Sequence, residues 1–95
     1  MATKVGLLHL DVMIGDAMTL KDKRRVVKSF KDRIASRANV SIAEVAHLDN
    51  IRRGALAVAM VGNDSGYLRG ALQRIVNAAR ASRTWVLLEY EIEVI

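Results

Sequence analysis

Residues 4 to 27 read KVGLLHLDVMIGDAMTLKDKRRVV and contain the transition that decides the fold. Apolar side chains or glycine occupy every second position from Gly6 to Ile14, which predicts a central strand with one wholly apolar face. A Gly-Asp-Ala-Met turn then breaks the alternation. Thr19, with Asp22 three residues later, resembles a capping box, so a helix is expected to begin near Leu20.

The rest of the chain supplies three further strands and a second helix. Val40 to Leu48 and Ala55 to Val61 are predicted to be the second and third strands. The turn Gly62 to Gly66 precedes a second helix with a single apolar stripe, which is expected to end around Ser82. Trp85 to Ile95 alternates clearly and predicts the fourth strand.

Two β-α-β passages joined by a short connection fold most simply as a split β-α-β unit. We therefore predict an α+β fold, the ferredoxin-like plait, with a four-stranded antiparallel sheet in the order 4-1-3-2. Both helices then cover one face of the sheet and leave the other open. Because 95 residues are enough for only one hydrophobic core, residues 1–95 are expected to form a single domain.

Composition limits the classes of function. The chain has no cysteine, which excludes disulfides, thiolate metal sites and thiol nucleophiles. No stretch approaches the length of a membrane span and the N-terminus lacks a signal-peptide pattern, so a cytoplasmic protein without membrane contact is expected. The net charge of +5 favours nucleic acid, an acidic protein or a membrane surface as partner.

The first helix concentrates this charge, with eight of the fifteen Lys and Arg residues between Lys21 and Arg37. Its basic side is either a phosphate-binding surface or a solvated helix face. Lys23 is different because it falls within the apolar arc of the helix. It either holds an anion beside the preceding loop or forms an ion pair, with Glu44 one of three candidate partners. The predicted nucleic-acid-binding residues are Lys21, Lys23, Arg24, Arg25, Lys28 and Lys31.

The open sheet face should carry a polar centre and apolar ends. Strand pairing would bring His9 near Glu89 or Glu91, with Asp11 one step along. Such a group could bind a metal or move a proton, but a charge ladder that discourages edge pairing is favoured, and neither a metal nor a cofactor is predicted. The predicted homo-oligomer interface consists of Leu7, Met13, Trp85 and Leu87.

Four segments carry a resemblance to a known family: Thr19 to Val26, Asn39 to Val45, Val61 to Asp64 and Leu88 to Ile92. Through these segments the chain resembles the YlxP-like family over essentially its whole length. The resemblance implies a ferredoxin-like fold of small bacterial proteins, often encoded beside translation and ribosome-maturation genes. It therefore implies a link to RNA or the ribosome.

The sequence contains no P-loop, dinucleotide fingerprint, serine-nucleophile motif or paired-histidine metal motif, so catalysis is not expected. The first hypothesis is a non-enzymatic factor that binds rRNA or a ribosomal subunit through its basic first helix. The alternatives are a small-molecule-responsive regulatory module and a homo-oligomeric protein–protein adaptor. The middle strands carry no aromatic residues, so bases are not expected to stack on the sheet.

Overall fold

A computed structural model describes residues 2–95 of the protein. The elements along this part of the chain are β1 (Lys4–Met13), α1 (Leu20–Ala35), β2 (Ser41–Ala46), β3 (Arg53–Gly62), α2 (Ser65–Arg80) and β4 (Val86–Val94). The strands form one antiparallel sheet in the order β2-β3-β1-β4. The predicted β-α-β-β-α-β fold and its strand order are confirmed.

The hydrophobic core lies between the sheet and the two helices. Alternate residues of β1 and β3 point into it, and Leu8, Val12 and Leu56 have no exposed surface. Helix α2 packs so closely on β1 that a Cβ atom at Gly6 would lie 2.8 Å from a methyl group of Leu72. Glycine is therefore required at this contact, since any side chain would collide with the buried helix. Among residues 2–95, neither helix combines the length and apolarity needed to cross a membrane.

A β-bulge in β4 determines which of its residues reach the core. Leu10 pairs with Tyr90 and Val12 pairs with Leu87, so β4 contains one extra residue over this interval. An extra residue exchanges the two faces of a strand beyond the bulge. The prediction that Trp85 and Leu87 lie on the open sheet face is therefore wrong.

Trp85 is instead part of the core. Its side chain is 5% exposed, and its ring centroid lies 4.7 Å from that of Phe30. The indole Nε1–H donates to the carbonyl oxygen of Ala79 at 2.8 Å. The same carbonyl accepts from the Ser82 N–H at 3.2 Å, so the indole is a second donor to one of the last carbonyl groups of α2. Leu87 is half-buried and packs against the same core.

Candidate nucleic-acid interface

The start of helix α1 is fixed by a reciprocal capping box. The Asp22 N–H donates to Thr19 Oγ1 at 3.0 Å, and the Thr19 N–H donates to Asp22 Oδ2 at 3.2 Å. A hydrogen bond from the Met18 N–H, together with hydrogen bonds from the Thr19 hydroxyl and N–H, lowers the pKa of Asp22. Asp22 thus remains ionised at the helix start, where a negative charge interacts favourably with the helix dipole.

Most of the predicted basic residues lie on the solvent side of α1. Lys21, Arg24, Arg25 and Lys28 are exposed, and Lys31 is half-buried. The only acidic residues of the helix are Asp22, which caps it, and Asp32, which contacts Lys28 at 2.6 Å. The outer surface of α1 therefore keeps a strong positive charge.

Lys23 does not belong to this surface, which corrects its assignment as a nucleic-acid-binding residue. It is fully buried, and its Nζ lies 2.7 Å from Glu44 Oε2 on β2. The same Nζ donates to the carbonyl oxygen of His47 at 2.6 Å. Glu44 Oε2 meets no donor in hydrogen-bond alignment, so the contact is held by charge. Of the two roles considered for Lys23, the structure shows the ion pair, which engages the ammonium group that an anion would need.

Helix α2 adds a second set of basic residues to the same side of the molecule. Arg69, Arg74 and Arg80 are exposed on α2, and Arg83 is exposed in the loop that follows. Asp64 caps the N-terminus of α2 by accepting from the Tyr67 N–H at 2.7 Å. These arginines were not predicted as binding residues from the sequence, although the predicted plait places both helices on one side of the sheet.

Two cavities lie between the helices, one toward each end of the pair; we call the surface that includes both the interhelical groove. One cavity, of about 540 Å³, lies between the C-terminal end of α1 and the side of α2 that runs from Tyr67 to Ala78, with Arg37 and Arg74 among its lining residues. The other, of about 530 Å³, is lined by Arg25 and Arg33 of α1 and by the loop after α2. The helices are therefore antiparallel, and arginine side chains lie at both ends of the groove.

The open sheet face places the predicted polar residues next to one another. His9 is the register partner of Glu91, and Asp11 is the register partner of Glu89. Arg53 Nη2 lies 2.9 Å from each oxygen of Asp11, a contact that was not predicted from the sequence. No group of three or more His, Cys, Asp or Glu residues within residues 2–95 is arranged to hold a metal ion.

The apolar ends of the open face differ in part from those predicted. Leu7 and Met13 lie on this face as expected, with Leu7 half-buried and Met13 exposed. Val86, the register partner of Met13, takes the position predicted for Leu87 and is 62% exposed. At the other end, Val61 is 70% exposed.

Comparisons with known proteins agree with this architecture. A solved structure of the de novo designed protein Foldit4 superposes with a TM-score of 0.56 over 97% of this chain and 96% of the designed chain. Its sequence is 14% identical, so the likeness concerns the fold alone. The protein of Bacillus subtilis (strain 168) described as "Uncharacterized protein YlxP" is 32% identical over 72 residues, which are 76% of this chain and 78% of that protein. Residues 5–92 match the family described as "Protein of unknown function (DUF503)", and the chain therefore belongs to this YlxP-like family.

Proposed function

We propose that the protein is a non-enzymatic cytoplasmic factor that binds RNA, with rRNA or a ribosomal subunit as its target. The helical layer, defined as α1, α2 and the loop after α2, is the binding surface. Lys and Arg residues on such a surface neutralise backbone phosphates and release counterions. These contacts provide affinity and orientation without selecting a base sequence.

The segregation of charge between the two sides of the molecule carries this proposal. Of the fifteen Lys and Arg residues, only Lys4, Arg52 and Arg53 lie outside the helical layer and its immediate connections. The acidic residues in or directly before the helices are Asp22, Asp32 and Asp64. Asp22 and Asp64 cap the helices, and Asp32 pairs with Lys28. The exposed carboxylates of Glu89, Glu91 and Glu93 lie on β4 instead. A polyanion is therefore attracted to the helices and repelled from the β4 edge.

The test compares two double variants that have the same net charge. Lys21→Glu with Arg24→Glu changes the helical layer, whereas Lys4→Glu with Arg52→Glu changes basic residues outside it. Each pair lowers the formal charge from +5 to +1, because each substitution subtracts two charges. Binding of the parent and both variants to rRNA fragments and ribosomal subunits is measured across a series of salt concentrations.

The parent is expected to bind with an affinity that falls steeply with salt. The helix variant should bind more weakly, and its slope of log K against log salt should decrease by about 0.7 to 0.9 for each phosphate that it no longer neutralises. The matched control should keep most of the parent affinity. An equal drop in affinity for both variants would show that only net charge matters, and the helical layer would not be the site.

We also propose that the protein self-associates through its open sheet face. The observation that favours this second role is the pair of exposed apolar ends, with Met13 and Val86 at one end and Val61 at the other. Ile95 extends the second end, since it exchanges backbone hydrogen bonds with Val5, the register partner of Val61. An adaptor role would use the same surface.

Sedimentation equilibrium tests this role directly. Val86→Glu should shift a dimeric parent toward monomer and leave the thermal unfolding profile nearly unchanged, because the side chain is exposed. Leu48→Glu is the matched control in the loop after β2, since Leu48 is 55% exposed and lies outside the sheet. A parent that is monomeric at every concentration would exclude self-association.

A further inference from the structure

The cavity at the Tyr67 end of the interhelical groove combines an apolar floor with a cationic rim. Ile34, Met60 and Ile75 line it and are each at least nine-tenths buried. Arg37, near the C-terminus of α1, and Arg74, on α2, contribute guanidinium groups to its lining. None of the residues lining this cavity is acidic. The cavity thus suits a ligand that has an apolar planar part and a negative charge.

Tyr67 makes this cavity suitable for an aromatic ring. It lies in the first turn of α2, and its side chain is 64% exposed while lining the cavity. An exposed aromatic beside arginine is the combination with which proteins stack unpaired bases and hold the adjoining phosphates. The volume of about 540 Å³ lies within the usual range for sites that hold small molecules, so it can accept one base.

The far end of the groove continues the positive charge. Arg25, Arg33 and Arg83 line the second cavity together with hydroxyl side chains. Arg33 is held above the ring of Phe30, with its Cζ 5.6 Å from the ring centroid. Arg25 lies ten residues before the last residue of α1, which corresponds to about 15 Å of helix, and Arg37 follows two residues after that end. Arginines therefore line both cavities between the helices.

We propose that the interhelical groove binds single-stranded RNA, with one unpaired base in the cavity beside Tyr67. Arg37 and Arg74 contact the phosphates that flank this base, and the strand continues toward Arg25 and Arg33. This inference rests on the proposed RNA-binding function and names the form of RNA that is bound. A duplex is disfavoured because its bases are stacked and paired, and placing one in the cavity would require flipping it out.

The experiment uses a fluorescent 12-nucleotide oligouridine and an RNA duplex of the same length, with binding measured by fluorescence anisotropy. Tyr67→Ala removes the stacking ring, and Arg74→Gln removes one charge from the groove. Arg52→Gln is the matched control, because it removes the same charge from an exposed position outside the helical layer that lines neither cavity. Circular dichroism checks that each variant is folded.

The parent should bind oligouridine more tightly than duplex. Tyr67→Ala should weaken oligouridine binding about 5- to 150-fold, the range expected for one stacked base. Arg74→Gln should lower the salt slope by about 0.7, the value for one phosphate contact on a single strand, whereas Arg52→Gln should leave the slope unchanged.

The outcomes separate this inference from the function on which it rests. If the parent binds neither RNA nor ribosomal subunits, the proposed function and the inference are both wrong. If the parent binds RNA but prefers duplex, or if Tyr67→Ala and Arg74→Gln bind oligouridine as Arg52→Gln does, only the groove is excluded. The proposal that RNA binds to the outer surface of α1 would then remain without the groove.

Discussion

Replacing Glu44 with alanine leaves the Lys23 ammonium buried with only the His47 carbonyl oxygen as partner. Removing one member of a buried ion pair costs about 3–5 kcal/mol of unfolding free energy, because the remaining charge is desolvated without compensation. We expect Glu44→Ala to fall at the upper end of this range, since Lys23 has no exposed surface.

The reverse substitution, Lys23→Met, should cost less. The carboxylate that it leaves behind is 15% exposed, so water can replace part of the missing interaction. The double variant Lys23→Met/Glu44→Leu should regain most of the parent stability, because it leaves no unpaired charge.

Urea unfolding followed by tryptophan fluorescence measures these differences, since Trp85 is the only tryptophan and is buried. Asp32→Ala is the control, because it breaks the Lys28–Asp32 pair, whose side chains are 76% and 65% exposed. That change should cost less than about 1 kcal/mol. The reasoning is refuted if Glu44→Ala costs no more than Asp32→Ala, or if Lys23→Met is the more damaging of the two single substitutions.

Three further predictions concern packing and caps, and thermal unfolding followed by circular dichroism checks each of them. Gly6→Ala should cost about 1–3 kcal/mol of unfolding free energy because its Cβ would meet a buried side chain. Gly15→Ala is the control and should be nearly neutral, since no atom lies within 4 Å of its Cβ. Equal costs would contradict the close helix contact. Trp85→Phe should cost about 0.5–1.5 kcal/mol because it removes the indole donor, while the Ala79 carbonyl oxygen keeps its hydrogen bond from the Ser82 N–H. An unchanged unfolding temperature would contradict a contribution from the indole bond. Asp22→Ala should lower the unfolding temperature at pH 7 more than at pH 2.5. The pKa of Asp22 is lowered in the folded state, so the ionised carboxylate stabilises the fold at a pH above the ordinary carboxyl pKa near 4. This contribution disappears as the pH falls through the folded-state pKa. A difference that does not vary with pH would contradict the role of the ionised carboxylate.

The helices and strands and their order could be predicted from the sequence, because each element depends on residues that are neighbours along the chain. The capping box at Thr19 and Asp22 is an example, since both partners lie within one helical turn. The faces of β4 could not be predicted in the same way. An alternating pattern assigns each residue to a sheet face by its position along the strand. A bulge opposite Asp11 and Val12 places one extra residue in β4 and shifts this assignment. Its position depends on the pairing with β1, which the residues of β4 alone do not reveal.

The candidate site could also be predicted only in part, because its residues are far apart in the sequence. The charge of α1 was visible in the sequence, but the groove requires α2 to lie antiparallel to it, with Arg33 and Arg83 lining one cavity from the two sides. The burial of Lys23 followed from its place in the apolar arc. Its partner Glu44 could be named only among several acids, because the choice depends on how β2 lies against the helix.

The separation of positive helices from an acidic β4 edge gives the molecule a permanent electric dipole moment. In the field of any polyanion such a body rotates as it approaches, so that its helices lead and its sheet trails. Encounters would then begin in one orientation, and fewer collisions would be unproductive. A protein held by its helices would keep its sheet face turned outward. Two contacts, one on each side, could therefore exist at the same time.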